Sequence, residues 1–118
     1  MLADYYSSNI APEAPDIETE LKSTATITYS GTKPTVKVGG SYKIFTPAFS
    51  GEGVTVDKWF VSDEDGDISD DVDNYTIVYD GEKLKLKVAQ NYNLISKVLI
   101  IQVVGTDKST AQVSVEVI

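Results

Sequence analysis

Val54-Thr55-Val56-Asp57-Lys58-Trp59-Phe60-Val61-Ser62 holds the chain's only tryptophan inside a run of residues that favour a pleated, half-buried surface. Gly51 and Gly53 bound the run on one side and an acidic, glycine-containing segment bounds it on the other, so it reads as a central strand. Side chains alternate along a strand, which puts Trp59 and Val61 on one face and Lys58 and Phe60 on the opposite one. The large indole belongs inside, so Trp59 is expected to be buried and Phe60 to point outward.

The same period of two recurs on both sides of this strand. Ala25, Ile27 and Tyr29 alternate with Thr24, Thr26 and Thr28 between Lys22 and Tyr29, which predicts a first strand with its threonines toward water. Ser30-Gly31-Thr32-Lys33-Pro34 breaks the chain before a short piece at Val36 and Val38, with Pro34 suited to a sheet edge. Ser41 to Phe49 reads as the next strand, although Tyr42, Ile44 and Ala48 fall on one face and Phe45 and Phe49 on the other. A bulge near Pro47 would reconcile the two sets. Beyond the acidic segment, Tyr75 to Tyr79 and Lys83 to Val88 flank Asp80-Gly81, a pair that predicts a type I′ hairpin turn with positive φ at both central residues. Leu84, Leu86 and Val88 are expected inside and Lys83, Lys85 and Lys87 outside.

Val98 to Val104 is apolar on both faces, as expected of a strand covered on both sides or of one whose outer face is a contact surface. Its outward parity places Val98, Ile100 and Val104 beside Phe60, and these four residues form the expected contact face. The last strand turns Ala111, Val113, Val115 and Val117 inward. Short strands at short intervals, without helical periodicity, predict an all-β, antiparallel sandwich of seven to eight strands.

The chain's 118 residues suffice for one domain that buries most of its surface without metals or disulfides. Residues 1–21 read as an acidic flexible linker or tail and 22–118 as the folded domain. The absence of cysteine excludes a disulfide scaffold, thiolate metal sites and a cysteine nucleophile. Eighteen acids oppose ten lysines, with no arginine or histidine, for a net charge of −8 that disfavours nucleic acid as a partner. The acidity is concentrated: five acids lie in 1–21 and seven in 63–73, and the remaining six face all ten lysines, a balance of +4. No run is long and apolar enough to insert in a membrane as a helix. Met1-Leu2-Ala3-Asp4 lacks the basic region and apolar block of a signal peptide, which leads to the expectation of intracellular assembly or of a chain that begins within a larger protein.

A lone Trp on the third main strand, seven strands over 22–118 and a tyrosine, Tyr92, in the loop before the sixth strand together resemble an immunoglobulin-like sandwich without its disulfide. The runs Pro34 to Tyr42, Tyr79 to Val88 and Leu94 to Ile101, with Trp59 between them, are similar to the bacterial Ig-like domains attached to virion proteins of phages and prophages of Gram-positive bacteria. Ala3-Asp4-Tyr5-Tyr6-Ser7-Ser8-Asn9 is similar to a connector that precedes such domains. The resemblance implies a non-catalytic module on a phage head or tail that makes weak contacts with other virion proteins or a cell-surface glycan. A spacer or adhesion domain of a secreted or wall-anchored bacterial protein is the second reading, and an accessory carbohydrate-binding module, marked by exposed aromatics, is the third. The expected location is the virion or, on the second reading, the bacterial surface.

The residues offer little to an enzyme or a cofactor. Without His or Cys no nucleophile–base triad can be built, and Asp63-Glu64-Asp65-Gly66-Asp67-Ile68-Ser69-Asp70-Asp71 supplies many equivalent carboxylates with none set apart in pKa. With Gly66 taken as the glycine of a calcium loop, the first ligand position falls on Val61 and the bidentate position on Val72, so the segment reads as a solvated acidic loop. Alternating Lys83, Lys85 and Lys87 read as the soluble face of a strand, with an anionic polymer as the other use of that row. No metal, cofactor or catalytic residue is expected.

Overall fold

Alternation becomes nine strands in the computed structural model, which describes residues 23–118; the expected linker at 1–21 lies outside the described residues. The strands are β1 (Ala25–Tyr29), β2 (Thr35–Val36), β3 (Lys43–Phe49), β4 (Val56–Asp63), β5 (Gly66–Asp67), β6 (Tyr75–Asp80), β7 (Lys83–Val88), β8 (Val98–Gly105) and β9 (Thr110–Val117). They form a four-stranded sheet in the order β1-β3-β7-β6 and a five-stranded sheet in the order β2-β9-β8-β4-β5. The protein is an all-β sandwich.

Two points differ from the expected antiparallel sandwich of seven to eight strands. The acidic segment contributes the short strand β5, and β2 pairs with β9 in parallel, Thr35 opposite Glu116 and Val36 opposite Val117. The parallel pair follows from the Ser30–Pro34 break. There the chain leaves the first sheet and crosses to the edge of the second, running alongside β9 instead of turning back on β1.

The inward faces supply the core. Phe45, Leu84 and Leu86 from one sheet meet Leu99, Ile101 and Val115 from the other, all inaccessible to solvent. On β3 the inward set is Lys43, Phe45, Pro47 and Phe49, and the bulge expected near Pro47 is absent from the β1–β3 ladder, which runs without a shift from Ala25–Phe49 to Tyr29–Phe45. Pro47 needs no bulge because the β3–β7 ladder ends at Phe45–Leu84, leaving that side of β3 free of a partner strand. The β6–β7 hairpin also differs in detail. Asp80 pairs with Lys83, so the turn residues are Gly81 and Glu82, and only Gly81 has positive φ, at 63°. That pattern matches type II′, in which glycine occupies the first central position.

A carboxylate ties the residue before β1 to the β8–β9 turn. Asp107, in the β8–β9 turn, accepts from the backbone N–H and hydroxyl of Ser23 (3.0 and 2.8 Å) and from those of Ser109 (3.0 and 2.6 Å). The Ser109 hydroxyl above all, with the Ser23 amide behind it, holds the Asp107 carboxyl well below the usual carboxylate range. A lowered folded-state pKa stabilises the fold above the ordinary carboxylate value, near 4, and this contribution fades as pH falls below it toward the folded value. The melting-temperature gap between wild type and Asp107→Asn is therefore expected to be full at about pH 6 and to shrink steadily from about pH 4 downward. A gap independent of pH in thermal melts would show that the four hydrogen bonds do not act through the carboxylate charge.

Candidate functional site

The indole that organises the sequence is only half-buried. Trp59 keeps its inward parity, opposite the fully buried Val103, and packs against the core. Complete burial was the expectation, and the local geometry explains the difference. Trp59 is the fourth residue of β4, and the Val56 end of that strand lies beside the Gly81-Glu82 turn of the facing sheet, so the two sheets part there and leave a cleft of about 330 Å³. Its lining is Val56, Asp57, Lys58 and Trp59 from one sheet and Tyr79, Gly81 and Glu82 from the other. A volume near 330 Å³ sits at the low end of ligand pockets, roughly 300–1,000 Å³.

Tyr79 reaches the cleft for the same reason. It follows Tyr75 and Ile77 on the inward face of β6, opposite Leu84, but at the last inward position before the turn there is little sandwich left to cover it, and it is 57% exposed. Glu82 fixes the mouth by accepting the Val56 N–H at 2.9 Å, a bond that joins the two sheets across the opening. Two aromatic side chains beside the carboxylates of Asp57 and Glu82 form a surface with flat apolar faces and strong acceptors. That combination suits the apolar CH face and the hydroxyl rim of a sugar ring.

The expected contact face takes its expected parity but is narrow. Phe60 is 44% and Val98 43% exposed, while Ile100 and Val104 are half-buried. Polar neighbours flank the row: Ser62 and Ser114 lie beside Ile100, Lys58 and Thr110 beside Val104, Glu116 beside Val98, and Gln102 opposite Phe60. The Lys58 ammonium lies 5.5 Å over the Phe60 ring and shields part of it.

The acidic segment is partly structured, which corrects the plain solvated loop expected of it. Ile68 is buried beneath it, and β5 pairs with the end of β4. Its carboxylates serve their own turns: Asp63 accepts from the Asp65 N–H, Asp67 from the Ser69 N–H at 2.7 Å and Asp71 from the Asn74 amide. Hydrogen bonds from the Ser69 N–H and hydroxyl lower the Asp67 pKa. Asp63 also pairs with Lys97 at 3.6 Å. Among the described residues, no three such side chains converge on one point.

On the outer face of the four-stranded sheet, Lys85 pairs with Asp80 at 3.1 Å and Lys87 sits 5.2 Å over the ring of Tyr42. Tyr92, which carried part of the immunoglobulin resemblance, is 68% exposed, and its hydroxyl accepts from the Gln90 amide. Leu94, two residues on, is the buried member of that turn. No family model matches the chain, and no curated protein matches it.

Proposed function

We propose that this chain is a non-catalytic, immunoglobulin-like binding module of a phage or prophage structural protein, and that it makes weak contacts with glycans of the host cell surface. Two features support the immunoglobulin-like part. The order β1-β3-β7-β6 corresponds to A-B-E-D of that fold, and β9-β8-β4 corresponds to G-F-C, with Trp59 on the C-equivalent strand. The virion assignment rests on the sequence resemblance at Pro34 to Tyr42, Tyr79 to Val88 and Leu94 to Ile101.

The observation that carries the binding reading is the Trp59–Tyr79 cleft. It joins aromatic faces to carboxylate acceptors beside the Gly81-Glu82 turn, whereas the Phe60 row is split between β4 and β8 and bordered by polar side chains. Tyr79 is largely exposed, so Tyr79→Ala is expected to change stability by no more than about 0.5 kcal/mol. In co-sedimentation with purified Gram-positive cell walls, the wild-type chain should pellet saturably. Tyr79→Ala and Trp59→Phe should weaken that binding about tenfold, the size of effect typical of an aromatic anchor. Wild-type protein that stays in the supernatant, or a Tyr79→Ala variant that pellets like wild type, would defeat this reading.

A further inference from the structure

A second cleft lies at the β1–β3 end of the sandwich, has no part in the proposed glycan site, and is built around a largely buried lysine. Lys43 shares the inward face of β3 with Phe45, and only 8% of the residue is accessible. Its ammonium donates to the Lys33 carbonyl at 2.8 Å and lies 4.8 Å from the centre of the Tyr29 ring. An ammonium has three donors, and a desolvated cation is costly unless an anion accompanies it. Among the described residues the ion pairs are Lys85–Asp80 and Lys97–Asp63, and neither involves Lys43.

The surroundings are basic and hydroxylated. Residues 23–49 hold Lys33, Lys37 and Lys43 and no acid, in a chain whose net charge is −8. Lys43 lines a cleft of about 510 Å³ together with Ser30, Gly31, Thr35, Lys37, Ser41 and Tyr42. A Cβ placed on Gly31 would stand 3.2 Å from the Lys43 nitrogen, so the ammonium lies against the backbone that forms the cleft wall. The Ser30 hydroxyl accepts from the Ile44 N–H at 3.0 Å, which leaves its own proton free to be donated. Lys87, over the ring of Tyr42, adds a further cation at the rim.

We propose that the Lys43 cleft binds a phosphate group, with the Lys43 ammonium as its counter-ion and Lys37 and the Ser30 and Ser41 hydroxyls as further donors. A compact ammonium is suited to phosphate as a point charge, and hydroxyls at a cleft wall add donors to its remaining oxygens. Burial also keeps the Lys43 amine below the ordinary lysine range.

The test uses the full chain with lysine labelled at Cε, titrated with inorganic phosphate and separately with diglycerol phosphate, a diester, against sodium acetate at equal ionic strength. Saturable movement of the Lys43 signal and of the Gly31 and Ser41 amides is expected with one or both phosphates and not with acetate. Response to the diester marks a phosphodiester polymer as the source, and response to inorganic phosphate alone marks a free phosphate. Lys43→Met, which keeps the apolar stem, should abolish the amide movements; Lys83→Gln should leave them unchanged. Should Lys43→Met fail to fold, Lys37→Gln with Ser41→Ala supplies the same reading from the exposed lip and is expected to weaken binding about tenfold. An equal response to acetate, a response unaltered by these substitutions, or no response of the Lys43 signal to either phosphate would overturn the assignment, and none of these results bears on the Trp59–Tyr79 cleft.

Discussion

Phe45→Ala is expected to destabilise the sandwich by about 3–5 kcal/mol, the usual cost of emptying a buried aromatic site. Phe45 is inaccessible to solvent, pairs across β3 with Tyr29 on one side and Leu84 on the other, and faces the other sheet. Among the described residues its ring is the largest of the fully buried side chains, so its removal leaves the largest void a single truncation can open there. Since a domain of this size holds roughly 5–15 kcal/mol in total, the loss is a large share of its stability. Urea denaturation should show the midpoint falling sharply with the slope unchanged. A shift worth less than about 1 kcal/mol would mean that the sheets do not pack on Phe45.

Gly105→Ala is the second large effect, and it arises from crowding. A Cβ at Gly105 would lie 2.8 Å from a carbon of the Phe49 ring and 2.9 Å from the Ser109 hydroxyl oxygen. Ser109 has little freedom to retreat, being 5% exposed and held by Asp107 through both its N–H and its hydroxyl. Phe49 would have to move away from its register partner Ala25, at the end of the β1–β3 ladder. Overpacking of this kind costs about 1–3 kcal/mol. In a domain of this size each kcal/mol lowers the melting temperature by roughly 4–8 °C. A melting curve matching wild type would show that the glycine is not needed for this close approach.

Period-two alternation made most of the strands legible. Leu84, Leu86 and Val88 against Lys83, Lys85 and Lys87, and Val113, Val115 and Val117 against Ser114 and Glu116, took the faces that alternation assigns them. The pattern failed where local chemistry allows two outcomes. Asp80-Gly81 and Gly81-Glu82 both place the glycine at a turn, and only the pairing of Asp80 with Lys83 selects the second. Ser41 to Phe49 was ambiguous because its inward face carries a lysine and a proline between aromatic residues, which hides the alternation that Lys43, Phe45, Pro47 and Phe49 obey.

Neither cleft was visible in the sequence, since both depend on where the sheets end. The indole at Trp59 and the inward parity of Tyr79 were readable, but not that the Gly81-Glu82 turn stops short of covering them. A tyrosine at the last core-facing position of a strand that ends in a tight turn was the available signal. For Lys43 the signal was a lone cation in phase with Phe45, and its meaning required the burial that the fold imposes.

A titration followed amide by amide tests the binding account most directly, because it reports where a ligand sits as well as whether it binds. Solubilised glycan from Gram-positive cell walls is added to the isotope-labelled chain while the backbone amides and the Trp59 indole N–H are observed. The account predicts saturable shifts centred on the Trp59 indole and on the amides of Asp57, Tyr79, Gly81 and Glu82. Shifts confined to Phe60, Val98, Ile100 and Val104, or no shifts at any glycan concentration, would contradict it.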